Sequence, residues 1–256
     1  MSTTDITTTR RGATLEIALD RPARKNAITT TMYEAMAAAV RGAEGDDGVR
    51  AILFHGSEQA FTAGNDLADF LERPPRGEDA PVFRFIEAVL ACTKPLVAAV
   101  NGPAVGIGTT LLLHCDLVYA GENARFSMPF TSLGVVPEFG SSYTLPLVAG
   151  YQRAAEMLLL GEPFGPAEAV AAGFVTRVLP AAETLAAARA AADKLCALPE
   201  GSIRLTRKLM REAHAGAILA QARAEGAHFS RMLDEPAARE AMSAFMQKRK
   251  PDFSKL

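Results

Sequence analysis

Pro95-Leu-Val-Ala-Ala-Val-Asn101-Gly102-Pro103-Ala-Val-Gly106-Ile-Gly108-Thr-Thr-Leu-Leu-Leu-His114-Cys115 carries no acidic or basic residue and reaches bilayer-spanning length, roughly 20 residues. Pro95, Asn101, Gly102, Pro103, Gly106 and Gly108 interrupt any single lipid-facing helix. Read in pieces, residues 96–100 form a short apolar strand that stops at Asn-Gly. The glycine-rich segment then turns, and residues 111–113 belong to a helix. A buried strand–turn–helix is a signature of α/β architecture.

The flanking sequence continues that pattern. Ala51-Ile-Leu-Phe54 reads as a second buried strand, and Asp116-Leu-Val-Tyr-Ala120 starts a third. Leu15, Ile17 and Leu19 alternate with Glu16, Ala18 and Asp20, which predicts a strand buried on one face only. Thr31 and Glu34 have capping-box spacing ahead of a helical face formed by Met32, Met36, Ala39 and Val40. Glu72-Arg-Pro-Pro-Arg-Gly-Glu-Asp79 combines turn residues with charge and is expected to be a mobile surface loop.

Beyond about residue 196 only helices are expected. Ile218, Leu219, Ala222, Phe229, Met232 and Leu233 recur at helical spacing, and Asp234-Glu235-Pro236 opens a further helix. The chain is therefore expected to divide into an α/β core, residues 1–196, and a helical region, residues 197–256. The apolar faces of that region would cover the core, another subunit, or both.

Composition narrows the function classes. At 49% hydrophobic content the chain is not intrinsically disordered. Its 27 Lys and Arg against 29 Asp and Glu give a net charge of −2, without the electrostatic footprint of a nucleic-acid binder. Arg204, Arg207, Lys208 and Arg211 are expected to form the solvated face of a helix. Cys92, Cys115 and Cys196 include no CxxC pair and read as reduced core thiols, and no metal site is expected. Met1-Ser-Thr-Thr-Asp-Ile lacks the basic start and apolar run of a secretory signal.

Two features point to chemistry. Phe61-Thr-Ala-Gly64-Asn65-Asp66 and Gly106-Ile107-Gly108 are glycine turns that follow apolar strands and precede helices. Backbone N–H groups exposed at two such turns, brought together, would form an oxyanion hole. Between Phe126 and Gln152 the only acidic or basic residue is Glu138. A carboxylate in apolar surroundings has a raised pKa and is a stronger base. The alternative is a surface glutamate that opens a helix.

Several ordered motifs resemble the crotonase superfamily, the enoyl-CoA hydratases and isomerases. They are Arg21-Pro-Ala-Arg-Lys-Asn26-Ala27-Ile28, Phe61-Thr-Ala-Gly64-Asn65-Asp66-Leu67, Val100-Asn101-Gly102-Pro103-Ala-Val-Gly106, Cys115-Asp116-Leu-Val-Tyr119-Ala, Leu133-Gly134, Ala169-Val-Ala-Ala-Gly173-Phe174-Val175 and Lys250-Pro251-Asp252-Phe253. The resemblance implies a crotonase-type spiral of ββα units with a C-terminal helical trimerisation region, and a homotrimer or a dimer of trimers. It implies an acyl-CoA thioester as substrate, with no separate cofactor because coenzyme A is part of the substrate. Arg24, Lys25, Ala27, Ile28, Ala63, Asp66 and Leu67 are the implied coenzyme A contacts.

The family's hydratases use two glutamates to add water to a 2-enoyl thioester. Counted from Cys115-Asp116, those positions hold Thr110 and Phe130, which cannot exchange protons with water in that way. The run through Pro129-Phe130-Thr-Ser-Leu-Gly134 and Pro137-Glu138-Phe-Gly-Ser-Ser-Tyr143-Thr-Leu-Pro146 is similar to the peroxisomal-type Δ3,Δ2-enoyl-CoA isomerases. In those enzymes a single catalytic glutamate occupies the position of Glu138, with the backbone N–H groups of Asn65 and Ile107 as the implied oxyanion hole, shaped by Gly64 and Gly106. Residual hydration, another crotonase reaction, or acyl-CoA binding without turnover are the alternatives. Ser254-Lys255-Leu256 matches a peroxisomal address, so a peroxisomal location is expected in a eukaryote and a cytoplasmic one in a bacterium.

Overall fold

The computed structural model describes residues 5–77, 79–247 and 249–256, without the Lys255 side chain. Met1 to Thr4, where the leader was sought, and Glu78 of the expected loop lie outside the described residues. The strands are β1 (Ile6–Arg11), β2 (Thr14–Leu19), β3 (Ala51–His55), β4 (Leu96–Val100), β5 (Pro103–Val105), β6 (Leu117–Gly121), β7 (Arg125–Ser127) and β8 (Arg177–Leu179). Between them run α1 (Thr30–Glu44), α2 (Leu67–Glu72), α3 (Pro81–Ala91), α4 (Ile107–Thr110), α5 (Ser141–Ala149), α6 (Tyr151–Ala155) and α7 (Pro166–Ala171). The chain ends in α8 (Ala181–Ala197), α9 (Glu200–Met232) and α10 (Pro236–Met246).

One sheet has the order β1-β2-β3-β4-β6-β8, antiparallel only at β1–β2, and β5 pairs with β7 in a small parallel second sheet. Parallel strands need both faces covered, and period-two alternation supplies two apolar faces. Ile52, Phe54, Leu96 and Ala98 enter the core shared with Met36 and Val40 of α1 and with Phe85 and Val89 of α3. Ala51, Leu53, Val97 and Ala99 face Ala188, Ala191 and Ala192 of α8. Small alanines let that helix lie close to the sheet.

Three local expectations are corrected. Glu16 was read as solvent-facing but is buried beneath α8, and Arg189 of that helix donates to its two oxygens at 2.8 and 2.7 Å. Helix α1 is capped by Thr29, whose hydroxyl accepts from the Met32 N–H, so Thr31 and Glu34 form no capping box. Arg207 and Arg211 do not lie on a solvated face. Arg207 is buried and donates to Asp116 at 2.7 Å and to the Cys92 carbonyl at 2.6 Å, while Arg211 donates to the His114 carbonyl. These contacts anchor α9 to the core across the start of β6.

The segment expected to be a mobile loop is also tethered. Arg76 pairs with Asp234, and the Ser230 hydroxyl donates to the Pro75 carbonyl, which fastens it to the end of α9. The three cysteines are free thiols. Among the described residues no helix is long and apolar enough to cross a membrane.

Candidate active site

The first glycine turn is built on Asn26, which is fully buried. Its side chain donates to the Ala60 and Phe61 carbonyls and accepts from the Arg21 N–H. The Thr62 hydroxyl then donates to the Asn26 carbonyl and accepts from the Gly64 N–H. A parallel bridge joins this segment to β5: Thr62 N–H donates to Pro103 and Val105 N–H to Thr62. The two turns therefore lie side by side. At Gly64 (φ +85°) a Cβ would stand 3.0 Å from the Val105 carbonyl oxygen, so glycine is required by both conformation and contact.

Backbone geometry leaves one donor free in each turn. Ile28 N–H donates to Gly64 and Asp66 N–H to Ile28, so the intervening Asn65 N–H points away from that bridge. Gly106 adopts φ 55°, ψ −117°, a conformation open to glycine, and delivers Ile107 as the first residue of α4. Among the described residues neither the Asn65 nor the Ile107 N–H has a hydrogen-bond partner. Both residues border a cavity of about 330 Å³, walled by Phe130 and Val135 and by Phe229 and Met242 from the C-terminal helices.

Glu138 stands in the link before α5 and is only 7% exposed. The Thr110 hydroxyl donates to its Oε1 at 2.6 Å, while Oε2 is buried without a hydrogen-bond partner among the described residues. Burial pushes this carboxyl up to about 8, although the Thr110 hydrogen bond pulls it down; the nearby Glu225 carboxylate adds to the rise. The alternative of a surface glutamate opening a helix is thereby overturned. Glu138 does not itself line the 330 Å³ cavity. Its partner Thr110 stands one helical turn beyond Ile107, a cavity residue, on α4.

The turn that carries Glu138 is strained. Phe139 has φ +66° and Gly140 φ +70°, and a bulky residue in that region persists only when its surroundings hold it. The His114 ring bonds the Phe139 carbonyl at 2.7 Å and stacks on the Phe139 ring at 4.6 Å. Because a carbonyl only accepts, Nε2 carries the proton, and burial pushes the imidazole down to about 3. His114 is a neutral prop.

The implied coenzyme A contacts fall into two groups. Ala63 and Leu67 border the 330 Å³ cavity with Gly64 and Gly106, and Ile28 borders a neighbouring one. Arg24 and Lys25 are exposed on a tight turn that is held to the first glycine turn by Ala63 N–H donating to Lys25; Ala27 is half-buried beside them. Asp66 is occupied structurally, pairing with Arg21 at 2.6 Å and capping α2 through the Ala68 and Asp69 N–H groups.

Sequence reasoning missed three participants. Tyr33 of α1 donates to the Asn65 side-chain oxygen at 2.5 Å, and nothing in its own neighbourhood of sequence signals this. Thr110 was read only as a lost glutamate, and Glu225 only as part of an oligomerisation helix. The helical spacing of Ile107 and Thr110 is a further signal that could have placed the Thr110 hydroxyl at the site.

Comparison with known proteins gives the family and the fold. The family model described as "Enoyl-CoA hydratase/isomerase" matches residues 9–255. Enoyl-CoA delta isomerase 2 of Rattus norvegicus is 40% identical over 213 residues, 81% of this chain and 54% of the rat protein, so the chain spans about half the length of that relative. The 2,3-dehydroadipyl-CoA hydratase of Escherichia coli K12 is 32% identical over 97% of this chain and 98% of its own. Among solved structures, Pseudomonas aeruginosa OdaA superposes with a TM-score of 0.92 at 47% identity, covering 94% of this chain and 98% of that one.

Proposed function

The chain belongs to the enoyl-CoA hydratase/isomerase family, and on that premise we propose that it is a Δ3,Δ2-enoyl-CoA isomerase working with one carboxyl group. The observation that carries the reading is Glu138, buried and bonded to Thr110 where the hydratases carry a glutamate. A titration point of about 8 suits a group that must both take and return a proton near neutrality.

In this reading the thioester oxygen of a 3-enoyl-CoA lies against the N–H groups of Asn65 and Ile107. Glu138 takes a proton from C2, and the electron pair left behind delocalises through C3 and C4 and onto the oxygen. The two N–H groups stabilise that charge, each being worth roughly 3 kcal/mol in comparable sites. The same carboxyl gives the proton to C4, so the C2–H bond is lost, a C4–H bond forms, and the double bond moves from C3–C4 to C2–C3. No water is consumed and no proton is released.

Hydration is the second reading, because the Escherichia coli relative carries a hydratase name and matches over nearly its whole length. Thr110 and Phe130 disfavour it: neither side chain holds a second base for water. Separate incubation with 3-enoyl-CoA and 2-enoyl-CoA distinguishes the two. Conversion of the 3-enoyl to the 2-enoyl ester faster than water addition supports isomerisation; faster formation of the 3-hydroxy ester overturns it. The family resemblance also supports a homotrimer or a pair of trimers, which light scattering of the purified protein tests.

A further inference from the structure

We propose that Glu225, delivered by α9, is the positioning residue of this site: its carboxylate fixes the Glu138-Phe139-Gly140 turn and with it the direction of the Glu138 carboxyl. The proposal rests on the reading of Glu138 as the proton carrier. Glu225 is 4% exposed, and one of its oxygens accepts the Gly140 N–H at 2.6 Å. The other accepts the Ser142 N–H at 2.9 Å and the Ser142 hydroxyl at 2.5 Å. Gln221, one turn earlier on α9, donates to the same hydroxyl at 2.8 Å.

The chemistry of these partners fixes the charge state. Every group that meets Glu225 is a donor, so the ionised carboxylate satisfies all of them. Burial raises its own pKa on balance, opposed by the bonds from Ser142 and Gly140, and the charge state is read from the all-donor partners. The turn is thus clamped on both sides: His114 donates to the Phe139 carbonyl and Glu225 accepts from the next N–H. Two consecutive residues at positive φ have no intrinsic reason to hold this shape, and the clamp supplies one.

A carboxylate here does more than an amide of the same size would. Of the titratable groups around the turn, Tyr33 from α1 is kept neutral because burial pushes its pKa well up. His114, preceding β6, is kept neutral at about 3 by burial. Thr110 from α4 does not titrate. Glu225 is the charged neighbour among the described residues, and like charge favours the protonated form of Glu138. The helix assigned from sequence to oligomerisation therefore reaches into the proton-transfer site.

The test compares Glu225→Gln with the wild-type chain, following the Glu138 carboxyl by ¹³C NMR titration, with Glu138→Gln used for assignment. An amide can accept at only one oxygen, and its NH₂ would face a donor N–H. The expected result is a Glu138 midpoint below that of the wild type and a kcat on 3-enoyl-CoA lower by about ten- to hundredfold, with a smaller change in KM. An unmoved midpoint overturns the proposal, because a merely structural role would lower kcat without moving it. Ser142→Ala is the milder second variant, removing one donor while keeping the charge. Should Glu225→Gln fail to fold, reduced kcat in Ser142→Ala with KM unmoved supports the clamp, and wild-type kcat overturns it. The titration needs no turnover, so a wild-type chain inactive on 3-enoyl-CoA counts against the proposed function and an unmoved midpoint against Glu225.

Discussion

Thr110 and Glu138, 28 residues apart in the chain, share a 2.6 Å hydrogen bond in which the hydroxyl donates to one carboxylate oxygen and leaves the other without a partner among the described residues. The bond holds Oε1 and leaves Oε2 as the atom that the proposed mechanism assigns to the proton. Because α4 also carries Ile107, in the proposed mechanism one helix supplies an oxyanion donor and orients the base.

Thr110→Val removes that donor at nearly constant volume. The hydroxyl lowers the Glu138 pKa, so its loss should move the ascending limb of the kcat/KM profile to higher pH. Each unit of movement costs about tenfold in rate at neutral pH. A pH–rate profile of the variant identical to the wild type would remove Thr110 from the mechanism.

Glu138 should make the folded chain less stable in alkali. Its pKa is raised in the native state to about 8 from an ordinary 4.5, so the native state binds the proton more tightly than the unfolded chain. The resulting stabilisation is complete below about pH 4.5, declines as the pH rises, and is lost above about pH 8. Glu138→Gln has no such ionisation and should exceed the wild type in stability above pH 8 by on the order of a few kcal/mol. Urea melts of both proteins should show that gap closing towards pH 5.

Gly106→Ala separates backbone geometry from side-chain contact. A Cβ there would meet nothing nearer than the Phe130 ring at 4.0 Å, so there is no clash. The cost is conformational, about 1–3 kcal/mol for a non-glycine residue held in such a region, and relief of the strain would rotate the Ile107 N–H. A fall in kcat of about 10²-fold or more is expected. Asn65→Ala keeps its backbone N–H, loses only the Tyr33 hydrogen bond, and should cost about tenfold or less. Steady-state kinetics on both variants check the order.

The parts of this fold legible in sequence are those set by local rules. Apolar runs ending at Asn101-Gly102, and Gly106 ahead of a helix, announce strand, turn and helix within a few residues. Glu138 was visible because nothing else in its neighbourhood is charged. What could not be read depends on residues far apart in the chain. Glu16 alternates like an outward-facing residue, and the helix that covers it carries its partner Arg189 173 positions later. Arg207 reads as part of a charged helix face until Asp116, 91 positions away, meets it. Glu225 lies 85 positions from the glycine whose N–H it accepts, and no local pattern distinguishes it from the other glutamates of α9.

The most direct measurement is the turnover of 3-enoyl-CoA by Glu138→Gln at saturating substrate, with binding of the thioester measured in parallel. A loss in kcat of about 10²- to 10⁴-fold, with the ester still bound, is the predicted result. Wild-type turnover by a folded Glu138→Gln chain would contradict the account, because the proton would then be moving without the carboxyl assigned to carry it.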